Sequence, residues 1–199
     1  KLFMPLEVAA HAGFCMGVRR AVEAAMKVAG ADTPSCTLGA LIHNPTVVDM
    51  LASHGVPAIS SVEEAKGRQV LIRSHGVSPD VLQALSASGS KVLDLTCPFV
   101  DKLHRIVAEG TADGTPVIMV GEREHPEVKG IMSCAVGEGA VIADSAELLA
   151  FMESEKGRRI AEKTVAIAAQ TTQKLSEWKK SLEIIKKVCT NPQIFDTIC

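Results

Sequence analysis

The sequence predicts an α/β protein of two similar lobes, each a roughly four-stranded, mainly parallel sheet flanked by helices. Three observations carry that expectation. Short apolar runs alternate with stretches of helical periodicity along the chain, the pattern of consecutive βα units. Runs such as "PVIMV" and "TVAIAA" lack polar alternation, as strands covered on both faces do. Roughly eight such runs in 199 residues are too many for one sheet and suit two of about four. The division is expected near residue 96, giving lobes over 1–96 and 97–199. No Gly/Ser-rich linker separates them, so they should pack directly on each other.

Element by element, "LFMPLEVAA" reads as a strand. A helix over 16–29 follows, with Val18, Val22, Ala25, Met26 and Ala29 at helical spacing. "CTLGALI" is a strand, and "PTVVDMLASHG" a helix that opens on Pro45 and stops at Gly55. "VPAIS" is a short strand and "SVEEAKG" a short helix capped by Ser60 or Ser61. "QVLIRS", "SPDVLQALSASG" and "KVLDLT" read as strand, helix and strand. The order then repeats. A helix runs from Pro98 to about Gly110, then strand "TPVIMVG", then a helix from Pro126 to about Cys134. Strand "GAVIA", helix "SAELLAFM", strand "TVAIAA", a helix from about Lys174 to Val188 and strand "IFDTI" complete it. "LDLTC", ending at Cys97, and "FDTIC", ending at Cys199, echo each other at the close of each βα set, a sign of duplicated architecture.

Composition removes several classes of function. The net charge is −2 and 47% of residues are hydrophobic, which fits a globular chain. There is no basic stripe, and five Phe and one Trp offer little stacking surface, so no nucleic-acid partner is expected. The apolar runs are strand-length, far short of a membrane span. The N-terminus lacks the features of a secretory signal, so a cytoplasmic protein is expected. In that compartment the six cysteines should be free thiols. None forms a CxxC pair, which leaves a zinc ribbon without support.

The chemistry should lie just past the strand ends, where open α/β sheets bind ligands. Those turns read "HAGFCMG", "HNP", "HGVSP", "CP", "EREHPE" and "QTTQ". Histidine or cysteine recurs, and several turns place Pro where a helix opens, leaving its first N–H groups free to face a ligand. His43, His75 and His125 with Thr171 and Thr172 therefore suggest an anion site, with phosphate or diphosphate as the natural ligand. Neither a P-loop nor a dinucleotide-binding glycine motif is present. Taken singly, each histidine reads more readily as a turn-stabilising or hydrogen-bonded residue; it is their recurrence at equivalent turns that favours the site. His54 reads as a structural residue at a helix end, His104 as surface or packing, and His11 as a neighbour of Cys15. Cys15, Cys97 and Cys199 all follow strands and form the set able to converge, whereas Cys36, Cys134 and Cys189 do not. Six buried thiols acting as small hydrophobes is the plain alternative. Glu127, in the first turn of its helix beside His125, is either a dipole-complementing acid or a proton donor.

The segments "GFCMGVRRAV", "HNPTVVDML", "SHGVSP", "LDLTCP", "HPEVKGIM", "QTT" and "FDTIC", in this order, resemble the LytB-type 4-hydroxy-3-methylbut-2-enyl diphosphate reductases from about Leu6 to Cys199. The resemblance implies three α/β lobes around a 4Fe–4S cluster, with Cys15, Cys97 and Cys199 as its metal ligands. It implies His43 and His75 as diphosphate ligands and His125 near both the substrate hydroxyl and the diphosphate. It implies Glu127 as the proton-delivering acid and Thr171 as the residue that holds the substrate and its proton network. The implied reaction is reductive dehydroxylation to isopentenyl and dimethylallyl diphosphate, with electrons from a ferredoxin- or flavodoxin-type donor. The family's third lobe, with its Ser-x-Asn element, is absent from this sequence, so an incomplete fragment is expected. The alternative is a non-catalytic iron–sulfur or phosphate-binding module.

Overall fold

The computed structural model describes residues 7, 9 and 12–199. The strand expected over "LFMPLEVAA" falls largely outside the described residues, as does His11. The elements are α1 (Met16–Val28), β1 (Ser35–Leu38), α2 (Pro45–Ser53), β2 (Ala58–Ile59), a 3-10 turn (Glu63–Ala65), β3 (Gln69–Ile72), α3 (Pro79–Ala87), β4 (Lys91–Asp94), α4 (Pro98–Gly110), β5 (Val117–Val120), α5 (Pro126–Met132), β6 (Gly139–Ile142), α6 (Ser145–Glu153), α7 (Glu155–Ala161), β7 (Thr164–Ala169), α8 (Leu175–Val188) and β8 (Asn191–Ile194).

The strands form two four-stranded sheets, ordered β2-β1-β3-β4 and β6-β5-β7-β8, with every pairing parallel. The two orders are one topology used twice. In each, the chain leaves the first strand for one edge and then crosses to the first strand's other side. The strand order therefore reverses between β1 and β3, and again between β5 and β7.

Strand alternation divides each core in two. On one face of the first sheet Leu71 packs with Ala21 and Ala25 of α1 and Val47 and Leu51 of α2. On the other face Val70 and Ile72 pack with Cys36 and Leu85. In the second sheet Ile118, Val120, Val165 and Ile167 meet Leu148, Ile160, Trp178 and Ile185. Val117, Met119, Ala166 and Ala168 meet Leu103 and Val107 of α4 with Val128 and Ile131 of α5. Proline opens α2, α3, α4 and α5, where its missing N–H costs no helix bond. Asn44 and Ser78 cap α2 and α3 by accepting from the N–H groups of Val47 and Val81.

Four local expectations differ. The short helix expected over "SVEEAKG" is only the 3-10 turn, with Val62 rather than Ser60 or Ser61 at its N-cap and no side-chain cap bond. "GALI" is not strand: Gly39, at φ +72°, turns the chain away directly after Leu38. α7 was not expected, because Gly157 lowers the helical signal of its segment. A Cβ at Gly157 would stand 1.9 Å from the Phe151 carbonyl oxygen, so the tight α6–α7 corner needs the glycine. The last strand is Asn191–Ile194 rather than "IFDTI". Thr164–Ile167 of β7 are the residues that pair with it, and Pro192 is tolerated because β8 is an edge strand. Beyond it, Phe195 N–H donates to the Ile167 carbonyl at 2.9 Å. The buried Thr197 hydroxyl then replaces the ladder, accepting from Ala169 N–H (2.9 Å) and donating to the Ala169 carbonyl (2.7 Å).

Thr197→Val keeps the shape but leaves both Ala169 backbone groups unpaired in a buried position. Urea unfolding should show a loss of about 1–3 kcal/mol, while Thr197→Ser should stay close to wild type.

Candidate active site

The strand-order reversals open a crevice at the carboxyl ends of each sheet, the usual ligand position in such folds. Residues 39–44 and 73–78 wall the first crevice and bring His43 and His75. Residues 121–125 and 170–174 wall the second and bring His125 and Thr171. His43 and His125 occupy equivalent places, each five residues beyond the first strand of its sheet.

The crevices face each other, so the three imidazoles form one cluster. Their ring centroids are 4.3 Å apart for His43–His75, 5.1 Å for His43–His125 and 5.3 Å for His75–His125. One nitrogen of each ring falls within 4.8 Å of the others, a spacing that a metal ion or an anion could use. The hydrogen bonding favours the anion. His125 caps α5, its Nδ1 accepting from Glu127 N–H at 3.1 Å. A peptide N–H only donates, so the neutral His125 ring carries its proton on Nε2 and presents a donor there. His75 Nδ1 is buried with no protein partner.

Electrostatics point the same way. Burial, then His43, His125 and Arg73, push His75 down to about 3. Burial, then His125 and Arg73, lower His43, with Glu122 opposing them. Charged imidazoles this close together and partly out of water would repel one another, and a negative ligand would relieve that repulsion.

Glu127 lies beside this cluster and is 1% exposed. Its Oε1 accepts from Thr171 N–H at 2.7 Å and its Oε2 from the Thr171 hydroxyl at 2.9 Å. The surface reading of Glu127 is thereby corrected: the carboxyl points inward and is bonded across both crevice walls. Gln170 braces this second crevice, accepting from Glu122 N–H and donating to the Thr172 hydroxyl, each at 3.0 Å.

The post-strand cysteines gather at the other end. Cys15 and Cys97 are the N-caps of α1 and α4 and make no side-chain cap bond, so their thiols lie at the positive ends of those helices. A Cβ on Gly17 would stand 2.6 Å from Cys97 Sγ, which brings α1 directly against that thiol. Arg20 of α1 donates to the Thr96 carbonyl. Cys97 N–H donates to the Ser74 carbonyl at 2.9 Å, and Cys199 N–H to the Thr171 carbonyl at 2.8 Å. The Cys199 thiol is pushed up by burial, then by Cys97, Cys15 and Glu127, which act on it from nearby. Cys15 and Cys199 are exposed and Cys97 is partly so. Phe14, Met16 and Phe99, next to these cysteines in the chain, are also exposed.

The other cysteines lie apart. Cys36 and Cys189 are buried in separate cores, and burial pushes both thiols up. Cys134 Sγ is 3.5 Å from His104 Nδ1. That histidine fills the seam between the lobes. Its ring atoms would lie 3.1 Å from a Cβ at Gly76 and 3.3 Å from one at Gly130. His54 ends α2, with Nδ1 on the Met50 carbonyl at 2.8 Å. Sequence reasoning passed over Gly17, Ser74, Arg73 and Gln170. Two left a trace: Gln170 as the first residue of the turn "QTTQ", and Ser74 as a small hydroxyl residue two positions past its strand, the place Thr171 takes in the second sheet.

Fold and site together define a class: an α/β protein of two matching sheets whose strand ends gather three thiols, three imidazoles and a buried carboxyl. The chain belongs to the family described as LytB protein, whose profile matches residues 6–199. It is 35% identical to a 4-hydroxy-3-methylbut-2-enyl diphosphate reductase of Campylobacter hominis, over 98% of this chain and 68% of that one. It is 39% identical to the reductase of the same name from a Thermoanaerobacter species, over 98% of this chain and 67% of that one. A solved structure of (E)-4-hydroxy-3-methyl-but-2-enyl diphosphate reductase superposes with a TM-score of 0.82 at 36% identity, covering 96% of this chain and 66% of the other. A Plasmodium falciparum reductase shares the fold, with a TM-score of 0.85 at 22% identity over 96% of this chain and 59% of that one. The chain thus spans about two-thirds of the length of the curated relatives it matches. Among the described residues no helix is long and apolar enough to cross a membrane.

The depressed His75 gives a pH signature. The unfolded chain takes up this proton around pH 6.5, while the folded site resists it down to about 3. The stabilisation is therefore complete above pH 6.5 and is lost as pH falls towards 3. Urea midpoints should fall across this interval in wild type, His75 adding a slope approaching about 1.4 kcal/mol per pH unit that His75→Gln lacks.

Proposed function

We propose that this chain takes part in the reductive dehydroxylation of 4-hydroxy-3-methylbut-2-enyl diphosphate to isopentenyl and dimethylallyl diphosphate, the final step of the non-mevalonate isoprenoid pathway, in the cytoplasm. The observation that carries this reading is one connected array: His125 to Glu127 through the α5 cap, Glu127 to Thr171, and Thr171 to Cys199. Hydrogen bonds thereby tie together the residues that carry an imidazole, a buried carboxyl and a thiol: the carboxyl itself is held by Thr171, and the other two links run through the backbone N–H groups of Glu127 and Cys199. The names of the relatives supply the substrate.

Three convergent thiols are a soft donor set, and their number fits a 4Fe–4S cluster with one iron left without a protein ligand. When bound, such a cluster supplies electrons, received from a ferredoxin- or flavodoxin-type donor, and a Lewis acid for the allylic oxygen. Overall, two electrons and two protons break the allylic C–O bond, form a C–H bond and release water. The residues of this chain do the rest. His43 and His75 hold the diphosphate, and His125 donates from Nε2 towards its oxygens or the substrate hydroxyl. Thr171 fixes the Glu127 carboxyl through two bonds, so that it meets the substrate in one orientation. Glu127 delivers a proton from a carboxyl that is itself shielded from bulk water.

Two experiments test this reading. After anaerobic reconstitution with ferrous iron and sulfide, the wild-type chain should retain both, and Cys97→Ala or Cys199→Ala should fall to background while Cys36→Ala does not. Undiminished iron in Cys97→Ala would refute the ligand assignment. With reduced, reconstituted protein, Glu127→Gln should bind inorganic pyrophosphate like wild type but turn substrate over about 10²–10⁴-fold more slowly. Equal turnover would remove Glu127 from the proton role.

A further inference from the structure

Arg73 is the first residue after β3 and is half-buried between the two loops of the first crevice. Its Nε donates to the Gly76 carbonyl at 3.3 Å, on the His75 loop. Its Nη1 lies 2.9 Å from where a Cβ on Gly39 would stand, at the start of the His43 loop. Gly39 also has φ +72°, a conformation that favours glycine, and the guanidinium lies close above it. Arg73 thus bridges the segments that present His43 and His75.

Among the described residues no carboxylate pairs with it. The salt bridges among the described residues join other groups. Glu124, which shares with Arg73 a groove of about 520 Å³, is taken by Lys129 at 2.5 Å. Glu122 is the acid that acts on His43. His104, partly buried beneath Gly76, is held towards its neutral form mainly by its removal from water. A guanidinium partly out of water normally finds an anionic partner, because its charge cannot be given up.

We propose that Arg73 is the fixed positive charge of the diphosphate site, a positioning residue that binds the two histidine loops together and adds a permanent cation behind neutral imidazoles. The proposal rests on the anion-site reading given above. Neutral imidazoles offer hydrogen bonds but no net charge. A guanidinium stays charged throughout the working range of pH. The histidines contact the ligand, and Arg73 acts through its field and through the loops it ties. Its nearness to both rings agrees with its lowering effect on His43 and His75.

Isothermal titration with inorganic pyrophosphate at two ionic strengths tests this on the 199-residue chain, comparing wild type, Arg73→Gln and Arg73→Lys. Arg73→Gln should weaken binding about tenfold and flatten its salt dependence, since one fixed charge is gone. Arg73→Lys should keep most of the affinity and the wild-type salt slope. By imidazole NMR, His75 should titrate at higher pH in Arg73→Gln than in wild type. Equal affinity in wild type and Arg73→Gln overturns the proposal. So does an equal loss in both variants at an unchanged salt slope, which would mark a role of shape rather than charge. Should Arg73→Gln not fold, Arg73→Leu serves the same comparison. If the wild-type chain itself fails to bind pyrophosphate, the anion-site reading falls and takes this proposal with it; binding that is indifferent to residue 73 removes this proposal alone.

Discussion

Where each edge strand runs out, one peptide hydrogen bond keeps the chain beside the inner strand. Cys97 N–H reaches the Ser74 carbonyl, and Cys199 N–H reaches the Thr171 carbonyl. Both acceptors lie two residues past the inner strands β3 and β7. The arrangement of thiols depends on this constraint. A cysteine three or more residues beyond its ladder would otherwise swing on a free tail, and here it is held against the wall of a crevice. Because the bonds are between backbone groups, the side chains at the acceptor positions are free for other use. Ser74 uses its hydroxyl on the Leu41 carbonyl, joining the two walls of the first crevice. Thr171 uses its own on Glu127, joining the two walls of the second.

This geometry separates charge across the site. Imidazoles and the Arg73 guanidinium occupy one side and the thiols the other, with the buried Glu127 carboxyl between them. In the proposed reaction the diphosphate belongs to the first side and the departing oxygen to the second, so the substrate is oriented by charge as well as by shape. The lobes hold their spacing through packed contacts. α4 inserts Leu103 and Val107 into the core of the second sheet while its N-cap is bonded to the first. His104, on the same helix, fills the seam at positions where Gly76 and Gly130 leave room.

Much of this was legible in the sequence. Parallel βα units announce themselves through apolar runs and Pro-opened helices, and the loop residues of interest follow at once. His43, His75, His125, Thr171 and the three post-strand cysteines were found that way. What escaped reading depends on contacts distant in sequence. Gly17 matters because Cys97 lies against it, eighty positions away along the chain. Arg73 draws no notice within "QVLIRS", since nothing local shows that it lacks a carboxylate. β8 was placed too late because an apolar "IF" outweighed "NPQI", whose pairing is fixed by β7 rather than by its own composition. Glu127 was left between surface and pocket because a first-turn acid has the same local pattern in either case.

The repeated topology also shows how one scaffold can carry two unlike sets of side chains. The two crevices offer the same loop positions. Position five past the first strand is histidine in both, as His43 and His125. Three past the inner strand they differ, with His75 in one and Thr172 in the other. The first crevice adds Arg73, and the second adds Glu127 with its Thr171 clamp. A repeated fold of this kind keeps the backbone frame constant, and the asymmetry of the site lies wholly in the side chains that its two sets of loops present.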